Sequence, residues 1–373
     1  MATLAGKATA RGTSALRERF EKLGLKGENY SLLGDLRVSC LGLGTYLGDE
    51  DEETSTRMRE ALRLALRSGF NLVDTSINYR GQLSERLVGR VLAELNFRRE
   101  FNREEVVVCT KGGFLPLDAE ADAPADAYLR RTYLDSLLVP PEELAAGIHC
   151  LAPTFLQDQL RRSLRNLGLE AVDFYYLHNP EIQLSEVPRD EFRRRLSRAF
   201  EWLEEKVKEG LVGNYGLATW NGLRLDQGDR DYLDLQETMA LAREVGGAGH
   251  HFKVVQAPFN LVMPQAFRKR NQRALGPALL TLAEACQGLG LSLTASSPLN
   301  QGRLARNLDP AFFQGIPLFG EDSQKAIHFA RSGPGLAAVL VGMNRREQVS
   351  LNLALMKAGP MSAEDFDRVL AAA

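Results

Sequence analysis

The sequence lacks any apolar run of the roughly 18 residues that a membrane-spanning helix requires. It also lacks an excess of charge, because 46 basic and 48 acidic residues give a formal net charge of −2. A nearly neutral chain has no global electrostatic attraction to nucleic acid or to an anionic membrane. We therefore expect neither a membrane span nor nucleic-acid binding.

Cysteine is scarce. The four cysteines are far apart and show no C-x-x-C spacing: Cys40, Cys109, Cys150 and Cys286. In a chain of 373 residues this pattern indicates reduced thiols rather than a disulfide framework, and we expect a cytoplasmic location.

Several catalytic and cofactor signatures are missing as well. There is no G-x-S-x-G elbow, no P-loop and no H-E-x-x-H. The glycine-rich stretch at 42–48 has one residue too many for G-x-G-x-x-G. His250 and His251 lie in a glycine-rich loop without clustered acids or cysteines, so no metal site is expected.

The first 17 residues contain Lys7, Arg11 and Arg17 and no acid. This bias resembles an organelle transit peptide, but we favour a frayed basic tail. The segment 14–24 predicts a short helix capped by Ser14. We expect 1–28 to be an extension outside the core and 29–373 to be one domain.

From residue 29 onward, short apolar runs alternate with helical patterns. Two runs around Gly34 and Asp35 predict a β-hairpin. Short runs that are rich in apolar residues and largely uncharged until their C-terminal ends are typical of parallel strands buried on both faces. There are eight of these: 38–44, 71–76, 105–113, 172–180, 212–220, 253–260, 291–298 and 337–343. They predict a (β/α)8 TIM barrel. The alternative, a doubly wound open sheet, would favour a glycine-rich dinucleotide turn, and none is well placed.

The connection after the third strand is unusually long. Residues 114–152 include four prolines and would lie over the C-terminal face, where barrel enzymes keep their active sites. We interpret this insertion as a substrate-side lid with a short helix or two. A surface decoration is the alternative.

Polar residues stand at or just beyond the ends of consecutive strands. Asp74 ends the second run, Tyr79 follows on the same loop, Lys111 ends the third and His178 the fourth. Singly, the aspartate suggests a helix cap, and the tyrosine and histidine suggest packing residues. Because neighbouring strand ends converge at the mouth of a barrel, we expect the four to lie close together.

Such a cluster has a chemical use. A buried aspartate and lysine satisfy each other's charge. An ammonium beside a phenol favours the phenolate, so we expect Lys111 to lower the pKa of Tyr79. A tyrosine tuned in this way donates a proton to a developing alkoxide, and His178 orients or polarises the carbonyl.

Eight segments together resemble the aldo-keto reductases. They occur in the family's order and span nearly the whole chain outside the extension and the insertion: 42–46, 74–79, 84–89, 110–113, 163–180, 254–260, 295–304 and 339–352. The resemblance implies a (β/α)8 barrel that uses NADPH to reduce aldehydes or ketones. It also implies that Tyr79 is the general acid, that Lys111 and Asp74 tune it, and that His178 orients the carbonyl.

The resemblance also implies cofactor and substrate contacts. The matching cofactor residues are Thr219, Gln256, Ser296, Pro298, Leu299, Gly302, Leu304, Gly342, Asn344, Arg345, Arg346, Gln348 and Asn352. Tyr46 and Asn179 match the substrate pocket. Adjacent arginines suit a 2′-phosphate and favour NADPH over NADH, although a solvated basic helix start is the alternative.

Four positions depart from the family's pattern. Ala218 and Thr219 stand where many members have Ser-Asn, and Leu351 stands where a glutamate often contacts adenine. Asn179 replaces a common tryptophan.

Two other functions remain as alternatives to carbonyl reduction: an NAD(P)-dependent sugar or polyol dehydrogenase, and a redox-sensing, NADPH-binding regulatory subunit. The expected partner is a small carbonyl compound.

Overall fold

The computed structural model describes residues 3–316 and 319–373. Eight parallel strands close into a barrel. They are β3 (Leu41–Gly44), β4 (Leu72–Asp74), β5 (Val107–Gly112), β6 (Val172–His178), β7 (Val212–Ala218), β8 (Phe252–Pro258), β9 (Ser292–Ser296) and β10 (Leu336–Gly342). Their order around the barrel is β10-β3-β4-β5-β6-β7-β8-β9. The predicted barrel is confirmed.

Helices surround this barrel. They are α1 (Ala10–Glu21), α2 (Glu52–Arg67), α3 (Leu83–Phe97), α4 (Ala125–Leu129), α5 (Pro153–Leu167), α6 (Arg189–Lys208), α7 (Leu235–Gly246), α8 (Gln265–Arg268), α9 (Leu282–Leu289), α10 (Asp322–Arg331), α11 (Arg346–Lys357) and α12 (Ala363–Ala372). In the described parts of the chain, no helix is both long and apolar enough to cross a membrane.

The N-terminal end of the barrel is closed by the predicted hairpin, β1 (Tyr30–Leu33) and β2 (Leu36–Ser39). Leu33 and Val38 are fully buried and join a cluster with Phe174 and Val254 from the barrel strands. The first barrel strand is therefore shorter than predicted, because residues 38 and 39 belong to the hairpin. With this end closed by apolar packing, the C-terminal mouth is the open one.

The N-terminal extension differs from the expectation. Helix α1 begins four residues earlier than predicted, and the hydroxyl of Thr9, not Ser14, caps it by accepting from the amide of Gly12. Leu16 and Phe20 are buried in the main core, so the expectation that this segment lies outside the core is wrong. The helix is amphipathic and about three turns long, and its apolar face is buried by packing against the barrel.

The insertion has a small core of its own. Tyr128, Tyr133, Val139 and Phe155 are buried together, and α4 with two further single turns supplies the predicted short helices. Ion pairs and hydrogen bonds fasten the insertion to the barrel helices: Arg86 with Asp118 at 2.8 Å, Arg198 with Glu143 at 2.5 Å, and Arg195 with the carbonyl of Glu142 at 2.5 Å.

Candidate active site

The four predicted catalytic residues meet at the C-terminal mouth of the barrel. Asp74 and His178 are the last residues of β4 and β6, and Lys111 is the penultimate residue of β5. Tyr79 lies five residues after Asp74, at the start of a short 3-10 turn. Parallel strands deliver these side chains to one place because they share a direction and a register across the barrel.

Lys111 is fully buried and is the centre of the cluster. Its ammonium donates to Asp74 Oδ2 at 2.5 Å, to the carbonyl of Thr75 at 2.9 Å and to the hydroxyl of Tyr79 at 3.1 Å. All three of its protons therefore have acceptors. Burial by itself lowers the pKa of Lys111. The charge and hydrogen bonds of Asp74 and Tyr79 stabilise the ammonium by more than burial costs, so the pKa of Lys111 is raised above its ordinary value.

The pKa of Tyr79 moves in the direction opposite to the prediction. Burial of the phenol raises its pKa above the ordinary value, and the Lys111 charge opposes that rise without cancelling it. Desolvation of the buried phenol therefore outweighs the effect of the ammonium. The consequence is that Tyr79 keeps its proton at neutral pH.

His178 is held by neighbours on three sides. Burial, reinforced by the charge of Lys111, lowers the pKa of His178 well below its ordinary value, so the imidazole is neutral. The rings of Tyr79 and Phe114 pack edge-on against it at centroid distances of 5.9 and 4.9 Å. Its Nδ1 lies 3.4 Å from the hydroxyl of Ser76.

The loop that carries Tyr79 is strained and clamped. Arg80, Gly81 and Gln82 all have left-handed backbone conformations, with φ of 48°, 52° and 70°. The guanidinium of Arg80 is buried and donates twice to the carbonyl of Asp49, at 2.9 and 2.7 Å. Arg80, whose direction the sequence left open, therefore faces the loop before α2 rather than substrate, and it holds Tyr79 in place.

A cavity of 590 Å³ opens above these residues. Most of the site residues predicted from the sequence line this cavity: Tyr46, Asp74, Tyr79, His178, Asn179, Thr219, Gln256, Ser296, Pro298, Leu299, Gly302, Gly342, Asn344 and Gln348. The remaining predicted residues do not line it: Lys111, Leu304, Arg345, Arg346 and Asn352. Lys111 lies beneath the floor, Leu304 and Asn352 are buried, and the two arginines are exposed at the rim.

Two cofactor candidates have informative surroundings. Gln256 donates to the second carboxylate oxygen of Asp74 at 2.9 Å, which joins it to the catalytic cluster. The hydroxyl of Thr219 is buried at the cavity wall and has no hydrogen-bond partner among the described residues. A buried hydroxyl without a partner is costly and indicates that a polar group binds there.

The rim beside β10 is open and basic. The side-chain oxygen of Gln348 accepts from the amides of Asn344 and Arg345, at 2.9 and 3.2 Å, and so shapes the start of α11. Arg345 and Arg346 are exposed, and neither forms an ion pair with a carboxylate in the described parts of the chain. Two guanidiniums at a helix N-terminus favour an anion.

Sequence reasoning missed the aromatic wall. Phe114 and Trp220 line the cavity, and each follows within two residues of the end of its strand. Trp220 is held by Glu181, a buried carboxylate whose Oε1 accepts from the amides of Trp220, Asn221 and Gly222 at 2.9, 2.9 and 3.2 Å. Treating every strand-to-helix loop as part of the mouth would have identified both aromatics.

A closed parallel barrel with a buried acid–base cluster beneath a cavity at its C-terminal mouth defines the class: a (β/α)8-barrel enzyme. The sequence model of the aldo/keto reductase family matches residues 40–314. The chain belongs to the aldo/keto reductase family, which confirms the predicted family and makes the protein an NAD(P)H-dependent oxidoreductase.

Solved structures share this fold. An aldo-keto reductase from Bacillus halodurans is 19% identical, with a TM-score of 0.61 over 92% of this chain and 96% of that one. An aldo/keto reductase from Klebsiella pneumoniae, in complex with NADP and acetate, is 20% identical, with a TM-score of 0.58 over 91% and 94%. The glycerol dehydrogenase from Gluconobacter oxydans is 17% identical, with a TM-score of 0.61 over 93% and 96%.

Proposed function

We propose that the protein reduces an aldehyde or ketone to an alcohol with NADPH, with Tyr79 as the proton donor. The observation that carries this proposal is the Lys111 ammonium, which lies between the Asp74 carboxylate and the Tyr79 hydroxyl beneath the cavity floor. An acid must hold its proton before the reaction and release it when charge develops. Burial keeps the proton on Tyr79 before the reaction. The Lys111 ammonium, 3.1 Å from the hydroxyl, stabilises the phenolate when the proton is released.

His178 has a separate role in this proposal. A neutral imidazole on the same side of the cavity as Tyr79 can hydrogen-bond to the substrate oxygen without competing for its proton. The two rings are in contact, with centroids 5.9 Å apart, and both residues line the cavity, so one substrate can reach both. Tyr79 then donates the proton and His178 orients the carbonyl.

The cavity residues suit a nicotinamide cofactor. The Thr219 hydroxyl lacks a partner at the wall among the described residues. The amide nitrogen of Gln256 is held by Asp74, and its amide oxygen remains as an acceptor for a carboxamide. The exposed pair Arg345 and Arg346 suits a 2′-phosphate, which favours NADPH over NADH. The cofactor, when bound, supplies the hydride. The NADP complex of the Klebsiella pneumoniae structure is consistent with this choice.

The test is NADPH oxidation measured over a panel of aldehydes, ketones and sugars, with Tyr79→Phe beside the wild type. We expect the variant to lose about 10² to 10⁴ in kcat/KM, which is the usual contribution of general acid catalysis. Tyr128→Phe, which removes a hydroxyl from the insertion, is the matched control and should retain activity.

Each alternative predicts a different pattern. A polyol dehydrogenase would oxidise alcohols with NADP⁺ faster than it reduces any carbonyl on the panel. A regulatory subunit would bind NADPH tightly and turn over none of the compounds. Full activity of Tyr79→Phe on the best substrate would reject the proposed acid.

A further inference from the structure

A histidine from the insertion contacts the catalytic cluster from behind. His149 is fully buried, and its Nε2 lies 2.8 Å from the main-chain carbonyl of His178. Its Nδ1 lies 2.8 Å from the side-chain nitrogen of Gln183, which follows β6 in a short 3-10 turn. Both nitrogens of this imidazole therefore have partners.

The hydrogen-bond network determines which nitrogen of His149 carries the proton. Arg195 donates to Gln183 Oε1 at 2.6 Å, so the amide nitrogen of Gln183 must face His149. Because that nitrogen can only donate, His149 Nδ1 accepts and Nε2 donates to the carbonyl of His178. Burial lowers the pKa of His149 to about 4, in agreement with a permanently neutral ring.

The backbone is arranged for this contact. Gly113, with φ of 138°, lies so close that a Cβ there would be 2.7 Å from His149 Nε2 and 3.0 Å from the carbonyl of His178. The next residue in the chain, Phe114, packs edge-on against both imidazole rings, at 5.3 and 4.9 Å. Beyond His178, Asn179 takes a left-handed conformation with φ of 48°, at the point where the chain leaves the barrel.

We infer that His149 is a positioning residue: it fixes the main chain at His178 and so directs the catalytic imidazole into the cavity. The insertion is then a working part of the active site rather than a decoration. Positioning matters because a displacement of about 1 Å at a catalytic group can reduce the rate about 100-fold. This inference rests on the proposed function for its kinetic test and on geometry alone for its spectroscopic test.

The kinetic test compares His149→Ala with His149→Gln. Glutamine can donate to the carbonyl and accept from Gln183, as the neutral imidazole does, whereas alanine can do neither. We expect the alanine variant to lose about 10- to 100-fold in kcat with little change in the KM for NADPH, and the glutamine variant to recover most of that loss. Tyr133→Phe, which removes a buried hydrogen bond to the carbonyl of Pro116 inside the insertion, is the control for lost stability.

The spectroscopic test uses ¹⁵N-histidine NMR without substrate, which is practical because the chain has five histidines. We expect the His149 signal to report a neutral ring protonated at Nε2, and the His178 signal to shift in His149→Ala. An unchanged His178 signal would overturn the inference, as would equal kinetics for His149→Ala and Tyr133→Phe. If the wild type reduces no carbonyl, the proposed function fails while the NMR experiment still tests the positioning role.

Discussion

On the side of the cavity formed by β4, β5 and β6, the polar side chains are buried and bonded to one another. Asp74, Lys111 and Tyr79 are 5%, 0% and 8% exposed and share two hydrogen bonds. On the side formed by β9, β10 and the start of α11, the loops follow left-handed turns at Ser297 and Gln301, and the charged groups at the rim are exposed.

This difference separates two tasks. The buried side is preorganised, so its dipoles and charges need not rearrange when charge develops on a substrate. The open side has two exposed arginines without ion-pair partners among the described residues, Arg345 and Arg346, and these can gain a partner when a cofactor binds. Substitutions on the buried side should therefore affect folding and chemistry together, whereas those on the open side should affect binding alone.

The largest effect is expected from Lys111→Met. Loss of the ammonium leaves Asp74 buried without its counter-charge, which typically costs about 3 to 5 kcal/mol of unfolding free energy. It also removes the group that stabilises the Tyr79 phenolate, so carbonyl reduction should fall at least as far as in Tyr79→Phe. Urea unfolding and the NADPH assay measure the two effects.

Two further variants test this interpretation. Lys206→Met removes an ammonium that pairs with the half-exposed Glu209, and it should cost about 1 kcal/mol or less. The double variant Asp74→Asn, Lys111→Met removes both charges, so it should recover stability but not activity. Recovery of activity in the double variant would contradict the role given to the ammonium.

The buried side was largely predictable from the sequence. Asp74, Lys111 and His178 end successive apolar runs, and the geometry of a parallel barrel brings such positions together. The direction in which the pKa of Tyr79 shifts was not predictable in the same way. It depends on how much desolvation the folded surroundings impose, and sequence spacing does not report that quantity.

Contacts made by irregular segments were the least predictable. The burial of Leu16 and Phe20 depends on a docking surface that forms only when the barrel is closed. His149 lies 29 residues from His178 in a proline-rich insertion without a regular period. A pattern of apolar residues identifies strands and helices, but it contains no information on where such an insertion folds back.

A smaller effect, confined to binding, is expected on the open side. Arg345→Ala and Arg346→Ala should each weaken NADPH binding about 10-fold or more, since a hydrogen bond to a charged group is worth about 1.5 to 3 kcal/mol. NADH binding, stability and kcat should be unchanged. Fluorescence titration with both cofactors measures this, with Arg243→Ala on α7 as the control.

Equal losses for NADPH and NADH would show that these arginines contact something other than the 2′-phosphate. A lower free energy of unfolding in either arginine variant would show that these side chains also stabilise the fold.

The smallest effect is expected from pH. The pKa of His178 is lowered and that of Tyr79 is raised, so the imidazole stays neutral and the phenol stays protonated from about pH 6.5 to 9. Over this range kcat for reduction should be flat, and it should fall only as the pH rises through the raised pKa of Tyr79. Below about pH 6, a phosphate monoester begins to lose its second charge, so the KM for NADPH should rise a few-fold while that for NADH stays constant. A kcat that changes tenfold between pH 6.5 and 8 would show that a group on the buried side titrates there, and the division between a preorganised side and a binding side would not hold.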